Sequence, residues 1–361
     1  MKFTSALVTL FASVAVATPT PTVDNVADKP HLVKRASISD KATLGYATLN
    51  GGTSGGAGGT VTTVSSLAEF TAAVNEKDTA AKIVVVKGVI KGTANVRIGS
   101  NKSVIGLPGA GFDGIGLHAR RQSNIIVRNI KSTNVLASTG DGLKIEQSTN
   151  VWVDHCEFSS ALVSDKDYYD GLVDASHAAD YMTISYTYFH DHWKTSLIGH
   201  SENNGDEDKG HLRITYAHNY WANFGSRGPS LRFGTGHIYN SYYLKYASTH
   251  PQRISPQRIS PQRISEPVLT ASSGNSAINT RQGAQVLIQS NVFKNVSVPI
   301  TTQDSDIVGY AVAIDNDLGG AANTAPVGTI NANSPGYSYS LLGSANVVAT
   351  VPGQAGQKLT F

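Results

Sequence analysis

Cysteine is nearly missing from this 361-residue chain. Cys156 stands alone, so no internal disulfide can form and stability has to come from a buried core. Charge is sparse as well, at 15% Asp, Glu, Lys and Arg. The net charge of +3 falls to +1 once residues 1–35, with four basic and two acidic side chains, are set aside. A nearly neutral chain is no bulk nucleic-acid binder. Beyond the N-terminus nothing offers the ~20 consecutive apolar residues of a membrane helix, so no membrane partner is expected. Helical patterning is confined largely to SLAEFTAAVNE, where Ser66 is placed to cap and Leu67, Phe70 and Val74 fall on one face. Such a helix could cover an open end of a larger stack.

The N-terminus itself, MKFTSALVTLFASVAVATPTP, has a short basic start, an apolar run and a small-residue AVA site. It reads as a secretory signal over residues 1–18, which makes the mature protein soluble and extracellular. Residues 19–35 end in Lys34-Arg35, as a dibasic propeptide site would, and a single domain over 36–361 would begin near Ala36. Asn101-Lys-Ser and Asn295-Val-Ser are N-glycosylation sequons, plain by themselves but fitting for a secreted chain.

What the sequence has in quantity is glycine, valine, isoleucine, threonine and asparagine, which favour strands and tight turns. One template recurs: a short apolar strand, a polar turn, then an aromatic. It reads NIIVRNI from Asn124, NVWVDHCEF from Asn150, YMTISYTYF from Tyr181, LRITYAHNYW from Leu212, GHIYNSYY from Gly236 and QVLIQSNVF from Gln285. Its core-facing anchors are Val127, Val153, Ile184, Tyr216, Ile238 and Ile288, spaced 26, 31, 32, 22 and 50 apart. Strands this short cannot bury a core singly, but coils stacked in parallel share one. The expected fold is all-β, a right-handed parallel β-helix with a short N-terminal capping helix. A β-sandwich would need hairpin signals at tighter spacing, and these are sparse. Cys156 fits that stack as a small apolar residue.

The spacing of 50 coincides with PQRISPQRISPQRIS at 251–265, which adds chain without hydrophobic period and reads as a surface insertion over about 247–277. It falls after Arg232 and is expected between coils. GGTSGGAGG at 51–59 has no phosphate-loop lysine and reads as a tight lead-in to the first coil. Trp152 and Trp221 fall inside the strand template and are expected to pack; Trp193 lies outside it.

Acidic residues gather in TGDGLKIE (Asp141), VWVDHC (Asp154) and YYDGLVDAS (Asp170, Asp174). Clustered carboxylates suit a hard cation such as Ca²⁺, although an Asp beside a Gly is also a common turn former. Fully extended, residues 170 and 174 would sit ~13 Å apart, too far to share an ion easily, so the chain has to turn near Gly171. His190, Asp191 and His192 in FHDHWK could suggest zinc, but the two histidines would share a strand face with no third ligand in view, and are read as structural. Arg227 and Arg232 stand five apart in SRGPSLRFG with a proline between them.

Together VWVDHC, YYDGLVDAS, HDHWKTSLIGH, GHLRITYAHNYW, SRGPSLRFG, HIYNSYY and INTRQGA resemble the pectate lyases of polysaccharide lyase family 1, the fungal secreted branch in particular, over most of residues 45–361. That resemblance implies a Ca²⁺-dependent lyase that cleaves α-1,4-polygalacturonate by β-elimination, with a monomer expected. By motif, Asp141, Asp170 and Asp174 would hold the metal, Arg227 would be the catalytic base, and Lys194 and Arg232 would grip the substrate carboxylate. Asp154 would serve the scaffold. Cations aimed at a uronate carboxylate stabilise the charge that builds there when C5 loses its proton. A guanidinium normally stays protonated, so the base role asks for surroundings that disfavour its charge. Three rivals differ in product or requirement: a calcium-independent pectin lyase, which the acidic residues argue against; a polygalacturonase, which would add water using paired carboxylates; and a β-helix that only binds polysaccharide.

Overall fold

The structure is a computed structural model that describes residues 36–245 and 276–361, together with the backbone of Thr22–Val23, which pairs in parallel with Ser340–Leu341. The signal segment, the dibasic site and the PQRIS repeats lie outside the described residues.

Short β-branched segments stack coil upon coil into a parallel β-helix. The first sheet has ten strands, running from Thr60–Val64 through Ser123–Arg128, Thr149–Asp154, Asp180–Ser185, Arg213–Ala217, Thr235–Tyr239 and Gln285–Gln289 to Tyr310–Ile314. Register along it is strict: Val127, Val153, Ile184, Tyr216, Ile238 and Ile288 pair in one row. All six are fully buried. Side chains of this size contribute roughly 1.5–3 kcal/mol each when buried, so the row is a substantial part of what holds the coils together.

The long strand Gly111–Arg120 splits the remaining strands into two sheets. Its first residues pair with Lys131–Thr133, beginning a second sheet that continues through Glu157–Ser159, Tyr188–Lys194, Tyr220–Ser226, Tyr242–Leu244 and Val292–Lys294. Its last residues pair with Leu143–Glu146, beginning a third through Val173–Ser176, Leu197–Ile198, Ser230–Arg232, Ser276–Arg281 and Val298–Thr301.

Two internal columns run along the stack, one on the strands of the second sheet and one in the turns that lead into them. The aromatics that close the sequence template, Phe158, Phe189, Trp221, Tyr243 and Phe293, stack with centroids 4.2–5.8 Å apart. Beside them buried asparagines satisfy neighbouring coils: Asn219 Nδ2 donates to Ile184 O at 2.9 Å while its Oδ1 accepts from Thr187 N at 2.8 Å. Asn291 repeats the pattern with Ile238 O and Ser241 N. Buried amides satisfied in this way fix each coil against the next.

The capping helix is Leu67–Ala73, with Ser66 and Glu69 forming a reciprocal capping box and Phe70 and Val74 buried against the first coil. A longer helix, Ser344–Gln354, lays Val347 and Val351 on Tyr242 and Val292. The glycine-rich lead-in runs against the first sheet, where Asn124 Oδ1 accepts from the amides of Ser54 and Gly55 at 2.7 Å each. A Cβ on Gly56 would come within 2.0 Å of Lys82 O, so nothing larger fits. Trp152 and Trp221 are buried, and Trp193 is half-buried with its Nε1 on Val163 O at 2.7 Å.

Two expectations need correction. The insertion does not fall between coils. It interrupts one, between Tyr242–Leu244 and Ser276–Arg281, and Ser276 and Ala277 already belong to the third sheet. His190 and His192 do not share a face either. Asp191, at φ 51°, breaks the alternation, so His192 is buried with Nδ1 2.6 Å from Ser160 Oγ while His190 bonds Glu157 and Asp191 outside.

Candidate active site

The corner between the second and third sheets gathers the acidic and cationic residues. Asp141 and Asp170 each precede a strand of the third sheet, and Asp174 lies within one. The first two come level because Gly142 N donates to Gly171 O and Leu143 N to Leu172 O on the next coil. The chain bends at Leu172, directly after Gly171, which brings Asp174 back toward Asp170. Gly171 has a second role. A Cβ there would lie 2.4 Å from Asp174 Oδ1, so its bare Cα is what leaves the carboxylate its place.

Electrostatics records the crowding. Asp141 is 4% exposed and its carboxyl is pushed up to about 8, by burial first and then by Asp174 and Asp170. Its Oδ1 accepts only the Gly171 amide, at 2.9 Å. Asp174, which accepts the Leu197 amide at 2.9 Å, is pushed up to about 6 by burial, with Arg227 pulling the other way. Asp170 leans to Lys194, with Oδ1 3.6 Å from Nζ. Among the described residues no three acidic, histidine or cysteine side chains form a ready-made cation cage. The donor set nonetheless fits a hard divalent ion: all oxygen, three carboxylates on adjacent coils, and two held against the cost of shared burial.

The cations face this group from the following coils. Lys194 ends Tyr188–Lys194 and pairs in register with Ser226, so Arg227 begins the corner one coil on. Arg227 takes a left-handed φ of 59° and accepts the Ser196 amide on its carbonyl at 2.8 Å, ahead of a cis Gly228–Pro229 bond. Arg232 follows on the third sheet, its Nη1 donating to Gly199 O at 2.8 Å. Its Nε is buried with no hydrogen-bond partner among the described residues. Burial, then Arg281, brings the Arg232 guanidinium down to about 10. Arg281 stands in register with Arg232 on the next coil and carries the row of cations onward. Within INTRQGA it is inconspicuous in the sequence; what marks it out is the strand register.

Asp154 lies elsewhere, buried on the first sheet. Its Oδ2 takes Arg128 Nε and His155 Nδ1 at 2.7 Å each, and its Oδ1 accepts from Ser185 Oγ at 2.7 Å. It holds coils together and touches nothing at the corner. The sequons lie on the outside of the stack, with the Asn101 amide donating to Thr79 O at 2.9 Å and that of Asn295 to Lys245 O at 3.0 Å.

The protein is thus a parallel β-helix that gathers three carboxylates and a row of cations at one corner of its coils. Residues 5–359 match the family described as pectate lyase. The probable pectate lyase A of Aspergillus fumigatus is 52% identical over 364 residues, covering 100% of both chains, and pectate lyase A of Aspergillus niger is 49% identical over 330 residues, 91% of each. Among solved structures, a Bacillus pectate lyase in complex with trigalacturonate superposes with a TM-score of 0.69 at 28% identity, covering 87% of this chain and 98% of that one. The chain belongs to the pectate lyase family, and it is a lyase.

Proposed function

We propose that the enzyme cleaves polygalacturonate by β-elimination at the corner of Asp141, Asp170, Asp174, Lys194, Arg227 and Arg232, and that it does so outside the cell. The observation that supports this reading is geometric: Lys194 Nζ lies 3.6 Å from Asp170 Oδ1, and Arg227 follows Ser226, the residue in register with Lys194 one coil on, so cations and carboxylates share one corner. Between an acidic group and a row of guanidinium groups there is a place for a substrate that is itself acidic and loses a proton beside its carboxylate.

Lys194, Arg232 and Arg281 orient the uronate carboxylate and stabilise the charge that grows on it. Arg227 takes the proton from C5. The C5–H electron pair becomes the C4–C5 double bond, and the next sugar departs with the C4–O pair, leaving an unsaturated ring. Ca²⁺, when bound by Asp141, Asp170 and Asp174, supplies a Lewis acid for the same carboxylate.

The test is ultraviolet absorbance of the unsaturated product on de-esterified polygalacturonate. Wild type should produce it only with calcium, and Arg227→Lys should lose at least about a thousandfold in kcat while keeping KM within a few-fold. New reducing ends without ultraviolet absorbance would mean hydrolysis and overturn the reading.

A further inference from the structure

The ammonium of Lys194 already holds a carboxylate. Asp167 Oδ1 lies 2.7 Å from it, closer than Asp170 Oδ1 at 3.6 Å. Exposure of the two partners is unequal, 16% for the lysine side chain and 62% for that of Asp167. The aspartate therefore sits on the solvent side of the ammonium, where an incoming anion has to approach. Lys194 keeps the Asp167 carboxyl below its ordinary range, so it remains charged there.

The segment that carries Asp167 is tied at both ends. Val163 O accepts Trp193 Nε1 at 2.7 Å, and Tyr168 O accepts the Ala137 amide at 3.0 Å. Between these anchors Ser164, Asp165, Lys166 and Asp167 are all exposed, so the tip can swing without pulling a buried side chain out of the core.

We propose that Asp167 is an internal competitor of the substrate: a resident carboxylate that holds the position of a uronate carboxylate on Lys194 and has to be displaced from it. This rests on the reading of Lys194 as a substrate ligand. Binding exchanges one charge-assisted pair for another, so the gain at this position is small, and like charge drives the displaced Asp167 away.

The test compares Asp167→Asn with Lys194→Gln in steady-state kinetics on polygalacturonate at saturating calcium. Asp167→Asn should lower KM about two- to fivefold, the worth of a partly exposed ion pair, with kcat within about twofold. An unchanged or raised KM in Asp167→Asn, with Lys194→Gln strongly impaired, would overturn the proposal and leave the role of Lys194 standing. Wild-type kinetics in Lys194→Gln would remove that role and the competition with it.

Discussion

Arg232 and Arg281 stand in register on adjacent strands, two guanidinium groups of like charge with little water around either. Glu202, 3.9 Å from Arg232 Nε, and Asp304, 3.9 Å from Arg281 Nη2, offset part of that repulsion, and an anion lying across both would offset more. Arg281→Gln should raise KM for polygalacturonate about tenfold with a smaller effect on kcat, consistent with loss of one charge-assisted contact. Trigalacturonate should raise the Tm of wild type more than that of the variant. Equal KM values would show that Arg281 only braces its neighbour.

Gly171→Ala is the smallest change that should disable the acidic group. The new Cβ would meet Asp174 Oδ1 at 2.4 Å, and that carboxylate has to move. Circular dichroism and Tm without calcium should stay near wild type, whereas the Tm gain from calcium and the activity should both fall at least about tenfold in effective metal affinity. A normal calcium response would mean that Asp174 is no metal ligand.

The pH response of the same carboxylates has a definite sign. Asp141 and Asp174 ionise at about 8 and about 6 in the folded chain, raised by burial, but near 4 when unfolded. Folded protein thus holds protons that the unfolded chain has lost, and this contribution to stability falls as pH rises from about 4 to 8. Metal binding needs the ionised forms and strengthens over the upper part of that window. In chelator, Tm should drop between pH 5 and 8 by an amount that Asp141→Asn reduces, and the calcium-induced gain should grow with pH. A gain that is flat with pH would refute the assignment.

Asp154→Ala should separate scaffold from site. It leaves the buried Arg128 guanidinium with only the partly exposed Asp40, 2.8 Å away, and takes the acceptor from His155, so the loss should fall below the about 3–5 kcal/mol of a buried charge with no partner at all. Urea unfolding should register that loss, while KM of the folded fraction should stay unchanged because Asp154 is remote from the corner.

Much of the architecture was legible because its period is written in side chains. The row from Val127 to Ile288 and the column from Phe158 to Phe293 follow from one template read along the chain. The capping helix was legible from Ser66, Leu67, Phe70 and Val74. Ser344–Gln354 was not, because SANVVATVPGQ is rich in valine and contains Pro352, and it is packing on Tyr242 and Val292 that makes it a helix. The facing of His190 and His192 depends on one left-handed residue, Asp191, that strand alternation does not reveal. At the site, the resemblance to the family singled out Asp141, Asp170, Asp174, Lys194, Arg227 and Arg232, where the residues alone offered four aspartates. It did not reveal that Asp167 covers Lys194 or that Arg281 extends the row, since both follow from which coils become neighbours.

The interrupted coil also says where such a chain can change length. Ser226 reaches Ser230 through three residues, whereas Lys245 and Ser276, on the coil that follows, are separated by thirty. On both sides of that gap the ladders resume in step, Tyr243 on Trp221 and Asn279 on Ser230. Each turn of the helix takes its alignment from the turn beneath it and not from a count of residues. Segments acquired at a corner therefore do not propagate errors into the stack, and novelty can accumulate beside the acidic corner while the ladder stays in step.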